Sequence, residues 1–241
     1  MGTQERKLRE REAREALFLD TAERMIAENG FMKLQMGPLA AACDYATGTL
    51  YQHFQSKEDL LLAMTSREFE VHLDFFRKVE RWQGGTPRER MIAIAVAELE
   101  FARRHPQHMK LKHYVLTEAV WEQTSEARRT EALACSGPMS EIVNRIVRDA
   151  VEAGDLDTRG LSLTATSLGP WSLCEGMTAL GQVQGLMEAL QIADSERLLF
   201  RHLQTLLNGM GWQPLVELSD DGETAALVSR IRKEVFDISR P

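Results

Sequence analysis

Residues 39–60 read LAAACDYATGTLYQHFQSKEDL, and their spacing predicts two short helices joined by a tight turn. Leu39 belongs to the apolar face of the first helix, whereas Leu50 and Phe54 share the apolar face of the second. Asp44 lies between the two helices, and aspartate is one of the few residues besides glycine that tolerates a left-handed backbone. The stretch therefore predicts a helix-turn-helix, whose second helix can enter the major groove of DNA.

Capping signals predict where the longer helices begin. Ser56 is followed by acidic residues, a pattern typical of the start of a helix. We expect this helix to run from about residue 57 to 81. Thr86-Pro87-Arg88-Glu89 predicts a capping box and a helix to about residue 104. Further helices are expected at 5–29, 36–43, 47–53 and 159–185. Between 106 and 154 we expect one helix that carries Tyr114 and Trp121 and another that is kinked or split at Gly137-Pro138. The last two expected helices run from Asp194-Ser195 to Asn208-Gly209 and through a segment with Val228, Ile231, Val235 and Ile238 on one face.

Several short motifs resemble the tetracycline-repressor (TetR) family of bacterial transcription regulators. They are GTLY at 48–51, HF at 53–54 and SKEDL at 56–60, with the glycine-aromatic pair at 30–31 upstream. The resemblance covers about residues 14–64. Beyond them, only the helical pattern and the length agree with the family.

The resemblance implies a set of residues that face DNA: Gln35, Tyr45, Thr47, Gly48, Thr49, Tyr51, Gln52, His53 and Lys57. It implies that Tyr51 and Lys57 bind phosphates, whereas Thr47 and Tyr45 are our candidates for reading bases. The chain departs from the family at the turn, where Asp44 replaces a usual glycine and Ala46 replaces a hydroxyl cap. Alanine is a poor N-cap, so the second short helix lacks its usual start signal.

Composition predicts the fold class. The chain has 241 residues, of which 44% are hydrophobic and 7 are prolines, and no segment shows strand-like alternation or an Asn-Gly hairpin signal. We therefore expect an all-α protein. Its N-terminal three-helix helix-turn-helix DNA-binding domain would span residues 1–56, and a C-terminal helical ligand-binding and dimerisation domain would span residues 57–241.

The net charge of −7 does not exclude DNA binding, because a binding face needs only local positive charge. Cations that could supply it are Arg6, Lys7, Arg9, Arg11, Arg14, Lys33 and Lys57. Glutamates interleave with the first five of these, which is also typical of a solvated helix with internal ion pairs. The sequence leaves open whether this N-terminal arm contacts DNA.

Other classes of protein lack their sequence signals. No apolar run approaches the roughly 18 residues of a membrane span, and the N-terminus has no signal-peptide core, so we expect a cytoplasmic protein with no membrane partner. The three cysteines form no Cys-x-x-Cys pair and are expected as small buried residues. Without a nucleophile elbow, a phosphate-binding glycine loop or a His-Glu-x-x-His motif, we expect no enzyme activity, no catalytic residue and no cofactor. His105, His108, His113 and Glu118 match no recognised metal spacing, so no metal site is expected.

Small residues recur at three- and four-residue steps between 162 and 179, which allows another helix to approach closely. Two such helices from each of two subunits would form a four-helix dimer interface, and the family resemblance implies the same place for it. The expected interface residues are Ala165, Thr166, Gly169, Ser172, Gly176, Leu199, Leu203 and Leu206. The alternative is that this stripe packs within one chain.

Aromatic, methionine and polar residues of the C-terminal helices suggest an adaptable apolar cavity. The candidates for effector binding are Phe76, Phe101, His113, Tyr114, Glu118, Trp121, Met139, Trp171, Cys174 and Met177. His113 and Glu118 would orient a ligand through polar contacts. The alternative for each residue is an ordinary place in the core.

These features together predict a sequence-specific DNA-binding transcriptional regulator, most simply a repressor. Its partners would be double-stranded operator DNA, a second copy of the chain, and a small hydrophobic or amphipathic effector that releases or modulates it. The alternative is a helical ligand-binding protein or a small enzyme with only a vestigial helix-turn-helix.

Overall fold

A computed structural model of the chain describes residues 2–219 and 221–238, and within them the secondary structure is α-helical with no β-strand. The helices are α1 Thr3–Asn29, α2 Met36–Ala42, α3 Thr47–Tyr51, α4 Lys57–Arg81, α5 Pro87–Arg104, α6 Pro106–Val115, α7 Glu118–Gln123, α8 Glu126–Cys135, α9 Gly137–Glu152, α10 Leu163–Gly181, α11 Leu186–Ala189, α12 Ser195–Met210 and α13 Gly222–Phe236. The predicted all-α class is confirmed. In the part of the chain that the structure describes, no helix is both long enough and apolar enough to cross a membrane.

The chain forms two compact units, and the first combines Met1–Phe69 with Pro106–Cys135. Its core joins α1, α2, α3 and the first half of α4 through side chains that exclude water, and Phe18, Leu39, Leu50, Phe54 and Leu60 are all fully buried. Leu111 and Val120, from α6 and α7, complete the same core. The helix-turn-helix is therefore one part of a larger unit.

The second unit contains Glu70–His105 and Ser136–Pro241. Its core is built from apolar side chains of five helices: Phe76 and Val79 of α4, Ile92 and Val96 of α5, Ile146 of α9, Leu203 and Leu207 of α12, and Ile231 of α13. The fully buried Trp212 follows α12 in the same unit. Each unit thus has an apolar core of its own.

Local chemistry explains several helix starts that the sequence predicts. The Thr86 hydroxyl accepts a hydrogen bond from the Glu89 amide, and the Glu89 carboxylate accepts one from the Thr86 amide, so the predicted capping box is confirmed. Ser56 Oγ accepts the Asp59 amide at 2.9 Å at the start of α4. Asp194 caps α12 through the Arg197 amide.

The chain breaks more often than expected between residues 106 and 152. The single predicted helix carrying Tyr114 and Trp121 is two helices, α6 and α7, because the backbone turns at residues 116–117. The helix expected to be kinked or split at Gly137-Pro138 is split there into α8 and α9, which is one of the two predicted outcomes. The predicted domain boundary at residue 56 lies inside the first unit, and the functional division that it was meant to mark stays a prediction.

Candidate nucleic-acid interface

The helix-turn-helix is held together by its inward face. Leu39 and Ala40 of α2 and Leu50 of α3 are fully buried, and so is Phe54 just after α3. Between the helices Asp44 has φ of 60°, which confirms the left-handed turn expected there. The Tyr45 amide then donates to the Ala40 carbonyl at 3.0 Å, which ties the turn to α2. The orientation of α3 is therefore fixed by burial on one side and by the turn at its start.

The outward face of the same elements is open to solvent. Its exposed residues are Gln35, Tyr45, Thr47, Gly48, Tyr51 and Gln52, while Thr49 is half-buried. Tyr51 has 48% of its surface exposed although its neighbour Leu50 has none. Six of the nine residues predicted to face DNA are thus exposed and a seventh is half-buried, and their proposed contacts stay predictions.

The space next to the Gly48 Cα is empty in the folded chain. A Cβ atom placed at this position would meet nothing within 4 Å, so the fold itself does not require glycine here. A glycine exposed in a short helix weakens that helix, since it loses more backbone entropy than alanine on folding. The packing of the chain itself therefore does not explain the glycine at this position.

His53 does not belong to this surface. Its side chain is only 3% exposed, its ring meets the Phe18 ring edge-on at 5.4 Å, and its Nδ1 lies 3.5 Å from the Glu15 carboxylate. A buried imidazole cannot reach a base edge or a phosphate. We therefore correct the prediction and assign His53 to the packing of α1 against the helix-turn-helix.

Two cations lie close to the exposed face. Lys57 Nζ donates to the Met32 carbonyl at 2.9 Å, which fixes the ammonium beside the loop before α2. The Arg14 guanidinium stands 6.0 Å from the centre of the Tyr45 ring, at the edge of cation–π range. Arg14 and Tyr45 are thus close enough to interact, although they lie far apart in the sequence.

Residues from α7 and α8 also belong to the first unit and hold its helix-turn-helix. Arg128 forms a charge-assisted hydrogen bond to Glu15, another to Glu131, and stands 5.2 Å from the Phe54 ring. Burial acts to lower the pKa of Arg128, but the hydrogen bonds and the attraction of the two carboxylates outweigh it and raise that pKa. Sequence analysis missed this anchor, and its only local signal was Ser125, which accepts the Arg128 amide at the start of α8.

The predicted effector residues do not form one group. His113, Tyr114, Glu118 and Trp121 belong to the first unit, where Tyr114 packs against Phe31 and Glu118 is exposed. The other predicted residues belong to the second unit: Phe76, Phe101 and Cys174 are buried, Met139 and Met177 are half-buried, and Trp171 is 49% exposed. A cavity of about 370 Å³ between α12 and α13 is lined by none of these ten residues.

Phe76 and Phe101 of this set share a neighbour, the buried His72. The His72 ring stacks on Phe101 with centroids 4.0 Å apart and meets Phe76 edge-on at 5.5 Å. Its Nε2 lies 3.1 Å from the Glu98 carboxylate, which is also buried. The second unit therefore encloses an aromatic cluster with one polar pair inside it.

The predicted dimer residues divide between two faces. Ala165, Ser172 and Gly176 of α10 are exposed. A Cβ atom placed at Gly169 would lie 3.7 Å from the Leu206 side chain and 3.9 Å from the Met210 side chain of α12 in the same chain. The residues buried within the second unit are Thr166, Leu199 and Leu203. We correct the prediction for these three, because a side chain in the core of one subunit cannot also contact a partner.

Comparisons with known proteins place this arrangement in context. Residues 18–64 match the bacterial regulatory proteins of the tetR family. The chain is 37% identical over 82 residues to the HTH-type transcriptional repressor KstR of Mycolicibacterium smegmatis, which covers 34% of this chain and 39% of that protein. It is 30% identical over 129 residues to the HTH-type transcriptional regulator UidR of Escherichia coli, covering 46% of this chain and 65% of that protein. The matched part thus spans less than two thirds of either relative.

The fold is shared over a longer stretch. The crystal structure of the transcriptional regulator FadR from Bacillus subtilis in complex with stearoyl-CoA superposes with a TM-score of 0.58 at 18% identity, covering 80% of this chain and 98% of that one. At this identity the likeness shows a common fold. The family match at residues 18–64 contains the helix-turn-helix and the exposed residues described above.

Proposed function

The chain belongs to the tetR family of bacterial regulatory proteins, and on this premise we propose that it is a sequence-specific DNA-binding transcriptional repressor. The observation that carries the proposal is that α3 has both buried and exposed side chains. Leu50 is fully buried in the first unit, whereas Thr47, Gly48 and Tyr51 of the same helix are exposed to solvent. A short helix presented in this way can enter the major groove while its scaffold stays outside.

The exposed side chains suit the two kinds of contact that such a protein makes. The Tyr51 hydroxyl and the Lys57 ammonium can donate to phosphates, which fixes the position of the protein without reading sequence. Thr47 can meet a base edge through its hydroxyl, and Tyr45 can pack against a thymine methyl group. Gly48 lets the α3 backbone come close to the DNA.

We further propose that the protein acts as a homodimer on a palindromic operator, since one five-residue helix reads few bases. The outward face of α10 supports this, because Leu168 and Leu180 are 49% and 46% exposed beside the small residues Ser172 and Gly176. An apolar face with small residues allows close packing of a second copy. The two α3 helices would then need a separation of about one DNA turn, ~34–36 Å.

The effector in this proposal is a small hydrophobic or amphipathic molecule bound by the second unit. The cluster of Phe76, Phe101 and His72 offers apolar surface, and the His72–Glu98 pair offers a polar contact inside it. The stearoyl-CoA bound to the structurally similar Bacillus subtilis protein supports an acyl chain as one candidate. Helix α4 contributes residues to both units, so a ligand that prefers one position of α4 would change DNA affinity.

The test is operator binding by the full chain. DNA from around the chain's own gene, or DNA selected from random sequence, is titrated and followed by fluorescence anisotropy. We expect Tyr51→Ala and Lys57→Ala to weaken binding to all sequences, whereas Thr47→Ala should lose about 1–3 kcal/mol of discrimination at one position. Lys110→Ala removes an exposed cation from α6 and serves as the matched control. Unchanged affinity in a folded Tyr51→Ala protein would contradict the assignment.

A further inference from the structure

Three potential metal ligands from three different helices converge in the first unit. Glu23 of α1, Glu68 of α4 and His108 of α6 each offer one ligand atom, and these atoms all lie within 4.8 Å of one another. His108 Nε2 is in direct contact with the Glu68 carboxylate. The histidine spacing in the sequence did not indicate this group, because its neighbouring members are 45 and 40 positions apart in the chain.

The surroundings carry an excess of negative charge. Arg67 donates from Nη1 to Asp20 at 2.6 Å and from Nη2 to Glu23 at 2.8 Å. The carboxylates of Asp20, Glu23 and Glu68 therefore lie in one neighbourhood with the guanidinium of Arg67. The three carboxylates and the one guanidinium together carry two negative charges, which is the charge that one divalent cation balances.

Access and burial also suit an ion. The side chains of Glu68 and His108 are 13% and 25% exposed, so packing restricts their positions. Glu23 is 46% exposed and leaves one side open to solvent. An ion could enter from that side and keep water molecules as additional ligands.

We propose that Glu23, Glu68 and His108 form a binding site for a divalent transition-metal cation of the Zn²⁺ class. One imidazole nitrogen with two carboxylate oxygens is a donor set that Zn²⁺ accepts, at Zn–N and Zn–O distances of about 2.0–2.2 Å. Mg²⁺ and Ca²⁺ prefer oxygen ligands and are disfavoured by the imidazole. The ion would lie between His108 and Glu68, which are now in direct contact. Glu23 can bind the ion through one carboxylate oxygen and keep its hydrogen bond to Arg67 through the other.

The site would link α1 to α4 and α6 within the first unit. A metal that binds only the folded unit raises its stability, since the ligands are separated in the unfolded chain. This inference does not depend on the proposed repressor function, because the measured quantity is metal binding in the absence of DNA.

The test is a titration of the full chain, freed of metal by a chelator, with ZnCl₂ in a calorimeter. We expect one ion per chain and a rise of the thermal unfolding midpoint on adding Zn²⁺. His108→Ala and Glu68→Gln should weaken binding at least about tenfold. His202→Ala, which removes an exposed histidine of α12, is the matched control and should leave the affinity unchanged.

A third variant separates metal binding from folding. Glu23 is nearly half exposed, so Glu23→Gln should keep the helical content and the metal-free unfolding midpoint of the wild type while losing Zn²⁺ affinity. Wild-type protein that binds no Zn²⁺ saturably would overturn the proposal. So would Glu23→Gln, Glu68→Gln and His108→Ala proteins that all bind as tightly as His202→Ala.

Discussion

The carboxylate of Asp59 accepts hydrogen bonds from both the backbone amide and the hydroxyl of Ser125, each 2.9 Å long. Its other oxygen accepts the Gln55 amide at 3.0 Å, and the residue is only 2% exposed. Next to it, Ser56 Oγ donates to the Gln123 carbonyl at 2.7 Å. The start of α4 and the start of α8 are therefore joined by a buried polar link within the first unit.

Removing this link should weaken the first unit. Asp59→Ala leaves the amide of Gln55 and both donors of Ser125 without their acceptor, and we expect a loss of about 2 kcal/mol in the free energy of unfolding. Urea denaturation followed by circular dichroism measures it. Asp74→Ala, which removes a half-exposed carboxylate from the same helix α4, should cost less than about 1 kcal/mol. Equal effects of the two substitutions would show that the Asp59–Ser125 link adds no stability.

Gly48→Ala tests whether the glycine at this position is required for folding or for DNA binding. Because a Cβ meets nothing within 4 Å, the substitution should raise stability slightly, by up to about 1 kcal/mol. If the α3 backbone lies against DNA, the added methyl group should weaken operator affinity by about tenfold, ~1.4 kcal/mol. Gly137→Ala, in the equally open first position of α9, is the control. A Gly48→Ala protein with full affinity would show that the DNA does not approach this backbone.

Gly176→Leu tests the outward face of α10. A Cβ at Gly176 also meets nothing within 4 Å in the single chain, so the subunit should fold as before. If a second copy packs against this face, the larger side chain should weaken the dimer by about 1–3 kcal/mol, or roughly 5- to 150-fold in dissociation constant. Analytical ultracentrifugation measures the dimer constant. A wild type that is monomeric at micromolar concentration, or a variant dimer as tight as the wild type, would place the interface elsewhere.

Arg88 should be a stability determinant of the second unit. It is 2% exposed, and its guanidinium donates to the Trp212 carbonyl at 2.6 Å, to Gln204 Oε1 at 2.7 Å and to Asn208 Oδ1 at 2.9 Å. Burial lowers the pKa of Arg88 to about 10, so it remains a cation at neutral pH.

Arg88→Lys keeps the charge but cannot reproduce this planar set of bonds, and we expect a loss of about 1–3 kcal/mol in unfolding free energy. The measurement is chemical denaturation at neutral pH. Arg201→Lys changes an exposed arginine of α12 and should have almost no effect. A loss at Arg88 no larger than at Arg201 would mean that a simple cation satisfies these acceptors.

Features decided by neighbouring residues could be predicted from the sequence. The left-handed Asp44, the Ser56 cap and the Thr86–Glu89 capping box each depend on a few adjacent side chains. Periodicity also identified which residues share a helical face. It could not tell whether a face turns toward the same chain or toward another molecule, and this is why Leu203 was predicted at a dimer interface although it is buried. His53 was predicted to face DNA from the family resemblance, and it too is buried.

The packing of residues 106–135 with the helix-turn-helix was beyond sequence reasoning for a different reason. Asp59 and Ser125 are 66 residues apart, and the sequence around each of them does not indicate its partner. The same is true of Glu23, Glu68 and His108, which come together only because α1, α4 and α6 pack around one core.

The first unit is discontinuous in the chain, because Glu70–His105 leaves it before Pro106–Cys135 returns to it. During synthesis, the core of the N-terminal helices therefore cannot be complete until Leu111, Val115 and Val120 have been made. A fragment cut after Phe69 would lack these three side chains and would leave the Asp59 carboxylate without Ser125. The core of the first unit is thus completed late, by helices that follow Glu70–His105 of the second unit in the chain.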